Sequence, residues 1–396
     1  MVSELITAVL NTNIHVFKVS PVFAIMELET ISRLCNLFNI PNGDGITCPG
    51  GSFSNLLALI TARNLAFPNI KSEGFYQSSK KLIVFTSDQA HYSIAKACMV
   101  TGIGTNNLIK IATDNRGRMD VTEFENQIKK VIENNNIPLF VNATAGTTVK
   151  GSFDNFYEIG SICRKYNIWF HIDACWGGSV IFSSTHSHLM RGSEFADSIA
   201  WNAHKMLGVP IQTSFLLMKN PKALHISNSL EDISYLFHND NDDTLSRYDV
   251  GSKTIMCGRR PDVTKFYLSW QFYGSSTFAT WVDQAFQNAK YFYEKLLENN
   301  NFELVFPLES FNVCFRYSPD SLSRNNISLL SSFNRKISDV LQERRKVFID
   351  FSSTKEEGMF FRLIFHTTRT QTHHIDYILS EIVSIGDENL HSFRDN

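Results

Sequence analysis

A lysine follows a short apolar stretch in the segment 201–206, WNAHKM. A lysine that ends a strand and faces a cleft can lose its proton and form an imine with an aldehyde. Lys205 is therefore a candidate for covalent chemistry. An ordinary surface lysine in a loop fits the same six residues, so this segment alone leaves both interpretations open.

An aspartate ends another apolar stretch, the segment 168–173, IWFHID. An ionised carboxylate at a buried strand end needs a partner, because an unpaired buried charge is costly. A pyridinium nitrogen is one such partner: Asp173 would keep the ring protonated, and the protonated ring accepts electrons in carbanion chemistry. A strand-end aspartate that caps a loop is also common, so that interpretation stays open too.

A glycine-rich turn precedes a helical pattern in the segment 48–55, CPGGSFSN. Glycines let the backbone approach an anion, and the N-terminus of a helix offers unpaired N–H groups to a phosphate. The same residues also suit an ordinary helix start. A second turn, 144–148 (TAGTT), follows another apolar stretch and offers hydroxyl groups.

These features occur in a fixed order along the chain: the glycine turn, His91, the turn at 144–148, Asp173 and Lys205. The glycine turn precedes a predicted helix, and each of the others follows or ends a predicted strand. Together they suit one cofactor that carries a phosphate, an aromatic ring, a ring nitrogen and an aldehyde. Their joint occurrence is much more specific than any one of them.

The elements that position these residues alternate between strands and helices from about residue 45 to 220. The predicted strands are 82–86, 138–143, 168–172, 198–201 and 214–218, and the predicted helices are 54–65, 92–100, 121–133 and 154–165. Continuous apolar strands indicate a largely parallel sheet that is buried on both faces. Such sheets bind ligands beyond the carboxyl ends of their strands.

The pattern changes after residue 274. The predicted elements there are a helix at 276–298, extended segments at 302–306 and 311–316, a helix at 329–344 and a strand at 359–365. We therefore expect an N-terminal segment (1–44), a large α/β domain (45–275) and a smaller C-terminal α+β domain (276–396). The acidic stretch 238–243 lacks the glycine and final glutamate of a calcium-binding loop, and we expect a solvated loop.

Composition argues against several functional classes. The formal net charge is −2, from 37 Lys and Arg against 39 Asp and Glu, so no basic surface for nucleic acid is indicated. No stretch approaches the roughly 20 apolar residues of a membrane span, and no secretory signal is recognisable. Seven scattered cysteines without CxxC spacing predict reduced thiols in a cytoplasmic protein, and no metal site.

The sequence resembles the group II pyridoxal-phosphate-dependent decarboxylases, in the branch that contains the glutamate, cysteine sulfinate and related acidic amino acid decarboxylases. The resemblance runs from about residue 10 to the end. The matching segments are 49–55, 85–87, 91–93, 142–148, 171–178, 202–206, 234–237, 257–259, 312–315 and 360–362. It implies an aspartate aminotransferase-like, fold type I, large domain with a mainly parallel sheet and a smaller C-terminal domain.

The resemblance also implies roles for individual residues. Lys205 would hold pyridoxal 5'-phosphate as a Schiff base, Asp173 would pair with the pyridine nitrogen, and His91 would stack on the ring. Tyr235 would protonate the substrate carbon after carbon dioxide leaves, and Arg362 would bind a substrate carboxylate. Further cofactor contacts are implied for Ser52, Phe53, Ser54, Thr148, Asn202 and His204.

Members of this family are homodimers with active sites at the subunit interface. They usually carry a preceding N-terminal arm, which this sequence lacks. Three positions also depart from the usual pattern: Ala203 stands in place of Pro, Thr213 in place of Cys and Ser252 in place of Asp. A catalytically impaired, decarboxylase-like homodimer is therefore an alternative to an active enzyme.

The substrate branch is indicated by a few positions. Glutamate enzymes tend to have Ala at the position of Ser52 and Gly at that of Ser179, whereas cysteine sulfinate and aspartate-like enzymes tend to have Ser at both. Arg260 and the short stretch 308–311 also resemble the second branch, although Ala145 with the following glycine resembles the first. We expect cysteine sulfinate or aspartate, giving hypotaurine (a taurine precursor) or β-alanine, ahead of glutamate, which would give GABA.

An aminotransferase is the rival that would share fold and cofactor. The position of Tyr235 in a separate polar loop favours decarboxylation. A comparison of carbon dioxide release with keto-acid formation distinguishes the two.

Overall fold

The computed structural model of the chain describes residues 2–74, 80–230, 248–366 and 369–394. Tyr235 and the acidic stretch 238–243 lie outside these ranges. The chain divides into two compact units. The first unit comprises Met1–Asp114, Arg118–Thr147 and Phe153–Ala279, and the second comprises Asn115–Gly117, Thr148–Ser152 and Thr280–Asn396.

The described residues form the following helices: α1 (Val2–Leu10), α2 (Pro21–Leu37), α3 (Gly51–Ala66), α4 (Ile70–Glu73), α5 (Ser93–Val100), α6 (Val121–Glu133), α7 (Phe156–Tyr166), α8 (Ala223–Asn228), α9 (Val263–Leu297), α10 (Ile327–Arg344), α11 (Thr372–Asn389) and α12 (His391–Arg394). The strands are β1 (Asp44–Cys48), β2 (Leu82–Ser87), β3 (Leu108–Ile111), β4 (Ile137–Thr144), β5 (Trp169–Ala174), β6 (Ser198–Asn202), β7 (Ser214–Met218), β8 (Phe302–Leu304), β9 (Asn312–Tyr317), β10 (Asp350–Thr354) and β11 (Gly358–Ile364). Short 3-10 helices lie at Thr105–Asn107, Gly178–Phe182, Ser187–Met190, Ser193–Phe195 and Gly251–Lys253.

A seven-stranded sheet forms the centre of the first unit, in the order β1-β7-β6-β5-β4-β2-β3. Strands β2 to β6 run parallel to one another, whereas β7 runs antiparallel to both β6 and β1. Every residue of β2 and of β6 is buried, as expected for strands that are covered on both faces. The predicted, largely parallel sheet is confirmed.

Side-chain caps fix the starts of two of the helices that connect these strands. Helix α6 begins after Asp120, whose carboxylate accepts the backbone N–H of Glu123 at 2.9 Å. Helix α7 begins after Asn155, which accepts from the N–H of Glu158, and it ends at Asn167 in a left-handed conformation with φ 54°. Caps of this kind contribute about 1 kcal/mol each, and they explain why α6 and α7 begin close to their predicted starts.

Helix α3 is anchored on the sheet by a fully buried face. Leu57 and Ala58 pack in one apolar cluster with Val84 and Phe140 from β2 and β4. A buried Leu or Phe side chain stabilises the fold by roughly 1.5–3 kcal/mol. The position of the N-terminus of α3, at residue 51, therefore follows from core packing along the rest of the helix.

The second unit contains a four-stranded antiparallel sheet in the order β10-β11-β9-β8, together with helices α10 and α11. Asn334 on α10 pairs with the backbone of Tyr317 at the end of β9: its amide donates to the Tyr317 carbonyl and its oxygen accepts the Tyr317 N–H. The phenol of Tyr317 donates to Asp387 on α11 at 2.9 Å. The expected smaller α+β domain is thus present.

The element α9 consists of two helical segments that meet at a kink. Gly274 has φ 75° and ψ 165°, so it lies outside the helical conformation and separates the two segments. The second segment begins after this glycine, as predicted for the helix at 276–298, whereas the first segment, from Val263, was not predicted. None of the described helices is long and apolar enough to cross a membrane.

Candidate active site

The sequence-predicted residues of the first unit lie at one edge of its sheet. Asp173 is the penultimate residue of β5. Asn202 is the last residue of β6, and His204 follows two residues later. Strands β5 and β6 are parallel and paired, with Asp173 opposite Ala200. Their carboxyl ends therefore meet at the same edge, where parallel sheets bind ligands.

Asp173 is a buried carboxylate with two fixed donors. Its Oδ2 accepts from Nδ2 of Asn55 at 2.8 Å, and its Oδ1 accepts the backbone N–H of Cys175 at 3.1 Å. Burial alone would raise the pKa of Asp173. The Lys205 ammonium, the Asn55 amide, the side chain of Cys175 and His171 outweigh burial and lower the pKa below its ordinary value. The carboxylate is therefore ionised at neutral pH.

Lys205 lies directly after this edge and is half-buried. Its ammonium nitrogen is 5.6 Å from the centroid of the Trp176 ring. The same ammonium lowers the pKa values of Asp173 and His91 through space. The structure thus brings Lys205, Asp173 and His91 into one electrostatic group, as the sequence predicted.

His91 follows β2 and is a half-buried, neutral ring. Burial lowers its pKa, and the positive charges of Lys205 and Lys96 lower it further against the opposing effect of Asp173. Its Nδ1 accepts the backbone N–H of Ser93 at 3.3 Å, which orients the imidazole. A neutral, oriented imidazole presents a flat face on which an aromatic ring can stack.

The N-terminus of α3 provides a backbone cradle next to these strand ends. Gly50, which precedes the helix, has φ 104°, a conformation that L-residues rarely adopt. A Cβ on Gly51 would collide with Sγ of Cys175 and lie 3.0 Å from Nδ2 of Asn202. The first turn of α3 therefore lies against the ends of β5 and β6, and a helix N-terminus in this position suits a phosphate.

The predicted phosphate contacts of this turn differ in their surroundings. Ser52 is exposed and Phe53 is half-buried against the apolar cluster that anchors α3. Ser54 is fully buried, and its hydroxyl lies 2.9 Å from the hydroxyl of Ser214 on β7. Ser54 therefore faces the sheet, where it fixes the turn.

Three buried oxygens at the same edge have no hydrogen-bond partner among the described residues. They are Oδ1 of Asn202, Oγ1 of Thr144 and Oγ of Ser87, at or near the ends of β6, β4 and β2. Buried polar atoms in proteins are almost always paired. A phosphate cradle, an ionised Asp173, a neutral His91 and these oxygens together fit pyridoxal phosphate.

His204 stands beside Lys205 but turns its ring towards its own loop. Its Nδ1 lies 2.8 Å from the carbonyl oxygen and 3.0 Å from the amide nitrogen of Thr213. Burial lowers the pKa of His204, so its ring is neutral. This contact ties the loop that carries Lys205 to the start of β7.

Two predicted site residues, Thr148 and Arg362, belong to the second unit. Arg362 on β11 donates through Nη1 to the carbonyl oxygen of Thr148 and through Nη2 to the carboxylate of Asp350. Asp350 lies directly opposite Arg362 in the antiparallel β10–β11 pair. Sequence analysis identified Arg362 but not this carboxylate partner.

Sequence analysis also assigned no role to the polar side chains that support Asp173. Asn55, on α3, and His171, on β5, are both fully buried and are bonded to each other at 3.0 Å. One signal was present: His171 and Asp173 are two residues apart, so they lie on the same face of a strand. No cluster of three or more side chains that could bind a metal occurs in the described ranges.

Comparisons with known proteins identify the family of this chain. The sequence model of the pyridoxal-dependent decarboxylase conserved domain matches residues 1–318. The crystal structure of mouse CSAD (cysteine sulfinic acid decarboxylase) in its apo form superposes with a TM-score of 0.92 at 35% identity, over 97% of this chain and 80% of that chain.

Two plant structures share the fold at lower identity. Catharanthus roseus tryptophan decarboxylase, solved with L-tryptophan, gives a TM-score of 0.86 at 24% identity, over 98% of this chain and 80% of its own. Oryza sativa TDC, solved with PLP and tryptamine, gives a TM-score of 0.90 at 22% identity, over 98% of this chain and 80% of its own. Because the family model matches most of the chain, this protein belongs to the pyridoxal-dependent decarboxylases and is a pyridoxal-phosphate-dependent amino acid decarboxylase.

Proposed function

We propose that this enzyme decarboxylates a small acidic amino acid, cysteine sulfinate or aspartate ahead of glutamate. The observation that carries this proposal is the 35% identity with mouse CSAD along 97% of the chain. Ser52 and Ser179, which resemble the cysteine sulfinate branch, support it. Arg362 adds a planar guanidinium that can bind a carboxylate through two hydrogen bonds.

The proposed chemistry divides between the cofactor and the protein. Pyridoxal phosphate, when bound, supplies an aldehyde for the amino group and a ring that takes up the electron pair left by departing carbon dioxide. Lys205 holds the cofactor through its amine, and Asp173 accepts a hydrogen bond from the ring nitrogen and keeps it protonated. His91 covers one face of the ring and excludes water from it.

The first turn of α3 holds the phosphate through backbone N–H groups, with Ser52 and Phe53 at its start. Asn202, with an unpaired buried oxygen, and His204 complete the proposed cofactor contacts in the first unit. The family resemblance implies a further contact for Thr148. Tyr235, which lies outside the described residues, delivers the proton to the substrate carbon. We further propose a cytoplasmic homodimer with shared active sites, as in the family.

The test is carbon dioxide release by the cofactor-loaded protein from cysteine sulfinate, aspartate and glutamate, measured side by side. We expect kcat/KM to be highest for cysteine sulfinate or aspartate, with the corresponding amine formed in equal amount. Lys205→Ala provides the control for release that does not depend on the site. A higher kcat/KM for glutamate would overturn the proposed substrate preference, while the proposed decarboxylation would stand. Loaded protein that releases no carbon dioxide from any of the three would overturn the proposal and favour an impaired homologue.

A further inference from the structure

A continuous chain of hydrogen bonds leads away from Asp173 into the protein core. From its far end, Nε1 of Trp169 lies 2.8 Å from Oγ of Ser198, which lies 2.8 Å from Nδ1 of His171. Nε2 of His171 lies 3.0 Å from Oδ1 of Asn55, whose Nδ2 lies 2.8 Å from Asp173. The four inner groups are 0–5% exposed, so water does not compete for these bonds.

We propose that all hydrogen bonds in this chain run in one direction, with each group donating to the next one towards Asp173. Asn55 is then a positioning residue, because its amide donates to the Asp173 carboxylate and keeps it charged. Indole nitrogen is an obligate donor, so Ser198 accepts from Trp169. At the other end, an ionised Asp173 can only accept. The groups between these two ends can donate and accept in either sense, and the ends decide which sense they adopt.

The direction fixes the proton on His171. Burial lowers the pKa of His171 to about 4, so the ring is neutral and carries one proton. If Nδ1 accepts from the hydroxyl of Ser198, the proton is on Nε2 and is donated to the oxygen of Asn55. The amide nitrogen of Asn55 then faces Asp173 as a donor. All four bonds are satisfied in this arrangement.

The opposite direction conflicts with an ionised Asp173. A proton on Nδ1 of His171 would leave Nε2 as an acceptor, and the amide of Asn55 would have to turn round to donate to it. The Asn55 oxygen would then face the Asp173 carboxylate, with two acceptors in contact and no proton between them. Only a protonated Asp173 relieves that repulsion. The tautomer of His171 and the charge of Asp173 are therefore coupled.

Packing holds the members of the chain in place. The His171 ring stacks on Phe140 with a centroid distance of 5.4 Å and an interplanar angle of 29°. Asn55 has a second donor bond, to Oγ of Ser93 at 2.9 Å, and the N–H of Ser93 is the group that orients His91. Asn55 thus connects Asp173 with the imidazole proposed to cover the cofactor ring.

This inference rests on the proposed role of Asp173 towards the cofactor nitrogen, but it is tested without substrate. The first measurement is the tautomer of His171 by nitrogen-15 NMR in cofactor-free protein, assigned from the signal missing in His171→Gln. We expect the proton on Nε2 in the wild type. In Asp173→Asn, whose amide can donate or accept, we expect a mixture of tautomers. A wild-type proton on Nδ1, or an unchanged tautomer in Asp173→Asn, would overturn the one-way chain.

The second measurement compares Asn55→Leu with Asn64→Leu in cofactor-bound protein. Asn64 is a buried amide on the same helix that bonds to Ser227 and takes no part in the chain. With nitrogen-15 in the cofactor ring, we expect Asn55→Leu to shift the ring nitrogen towards its unprotonated form at pH 8. Cofactor binding should weaken on the order of ten- to a hundredfold, the range for a lost hydrogen bond to a charged group.

Asn64→Leu should leave the ring nitrogen protonated even where it lowers stability. Equal ring-nitrogen signals in the two variants would refute the role of Asn55. Neither measurement involves decarboxylation, so a failed substrate proposal leaves this result unaffected. If Asn55→Leu does not fold, Asp173→Asn, which is nearly isosteric with the wild type, still decides the direction of the chain.

Discussion

The carboxylate beside Arg362 gives a sharp prediction about substrate affinity. Asp350 pairs with Arg362 across the β10–β11 ladder, while Thr148 occupies another guanidinium N–H through its carbonyl. If Arg362 binds a substrate carboxylate, that anion and Asp350 compete for the same donors. Asp350→Asn keeps the shape of the side chain and removes the competing charge.

The structure limits the size of this effect. The Asp350 side chain is 49% exposed, and the Arg362 side chain is 14% exposed. Solvent screens such a pair, so its contribution is about 0.2–1 kcal/mol, which corresponds to at most about a fivefold change in an equilibrium constant. We therefore expect Asp350→Asn to lower KM by about two- to fivefold for an acidic amino acid and to leave kcat within about twofold.

The assay is initial-rate carbon dioxide release at saturating cofactor over a range of substrate concentrations. Asp339→Asn is the matched control, because Asp339 is exposed on α10 in the same unit and its loss changes the net charge equally. A long-range effect of net charge would appear in both variants, whereas competition at Arg362 would appear only in Asp350→Asn.

A higher KM in Asp350→Asn would refute the competition and show that Asp350 orients the guanidinium for substrate. Equal KM values in the wild type and both variants would place substrate away from Arg362. A lower kcat with unchanged KM would also contradict the reasoning, because the competition concerns ground-state binding and not the transition state.

Three further predictions concern other residues. Lys205→Ala should lose the borohydride-reducible linkage to the cofactor and at least roughly 10⁴-fold in turnover, as measured by absorbance and carbon dioxide release. Tyr235→Phe should yield less amine per carbon dioxide and inactivate faster, reversibly on addition of cofactor, at a rate cost on the order of a hundredfold or more. Burial raises the pKa of Asp154 from 3.8 to about 6 in the folded protein, so the unfolded chain releases this proton at lower pH than the folded one. The free energy of unfolding should therefore fall as the pH rises from about 4 to 6, by at most about 3 kcal/mol from this group. In Asp154→Asn this fall should be absent from denaturant titrations across that range, whereas an unchanged pH profile would assign the slope to other groups.

Most of the parallel strands could be predicted because their signals are local. Strand β6 has an apolar centre, and Val121–Glu133 begins directly after a capping aspartate. The short strand β3, which pairs with β2, was not predicted. Strand β1 gave no such signal. Its five residues, DGITC, pair with β7 more than 160 residues later, and pairing over that distance is decided by packing and not by local sequence.

The candidate site was predictable to the extent that its residues follow strands. Asp173 lies at the end of one buried strand and Lys205 three residues after another. Because the carboxyl ends of parallel strands meet at one edge of a sheet, the two residues come close together. The partners of Asp173 could not be predicted in this way. Asn55 comes from a helix and Ser198 from the start of the adjacent strand, and both bond to His171. The contact of Asn55 with His171 and Asp173 depends on the depth at which α3 packs on the sheet. Asp350 faces Arg362 only because of the register of a β-pair.

Two buried aspartates in the first unit show what keeps Asp173 charged. Asp154 accepts two backbone N–H bonds, from Met119 and Thr144 at 2.7 Å each, yet burial raises its pKa to about 6, with Asp114 and Asp88 adding to the rise. Asp173 also accepts two hydrogen bonds, but its pKa is lowered.

The two carboxylates differ in the sign of the charges near them. Lys205 is the largest of the influences that lower the pKa of Asp173, whereas two carboxylates surround Asp154. If Lys205 holds the cofactor as proposed, its cation would change, and a protonated ring nitrogen beside Asp173 would supply a positive charge in its place. Asp173 and the ring nitrogen would then each stabilise the charge of the other.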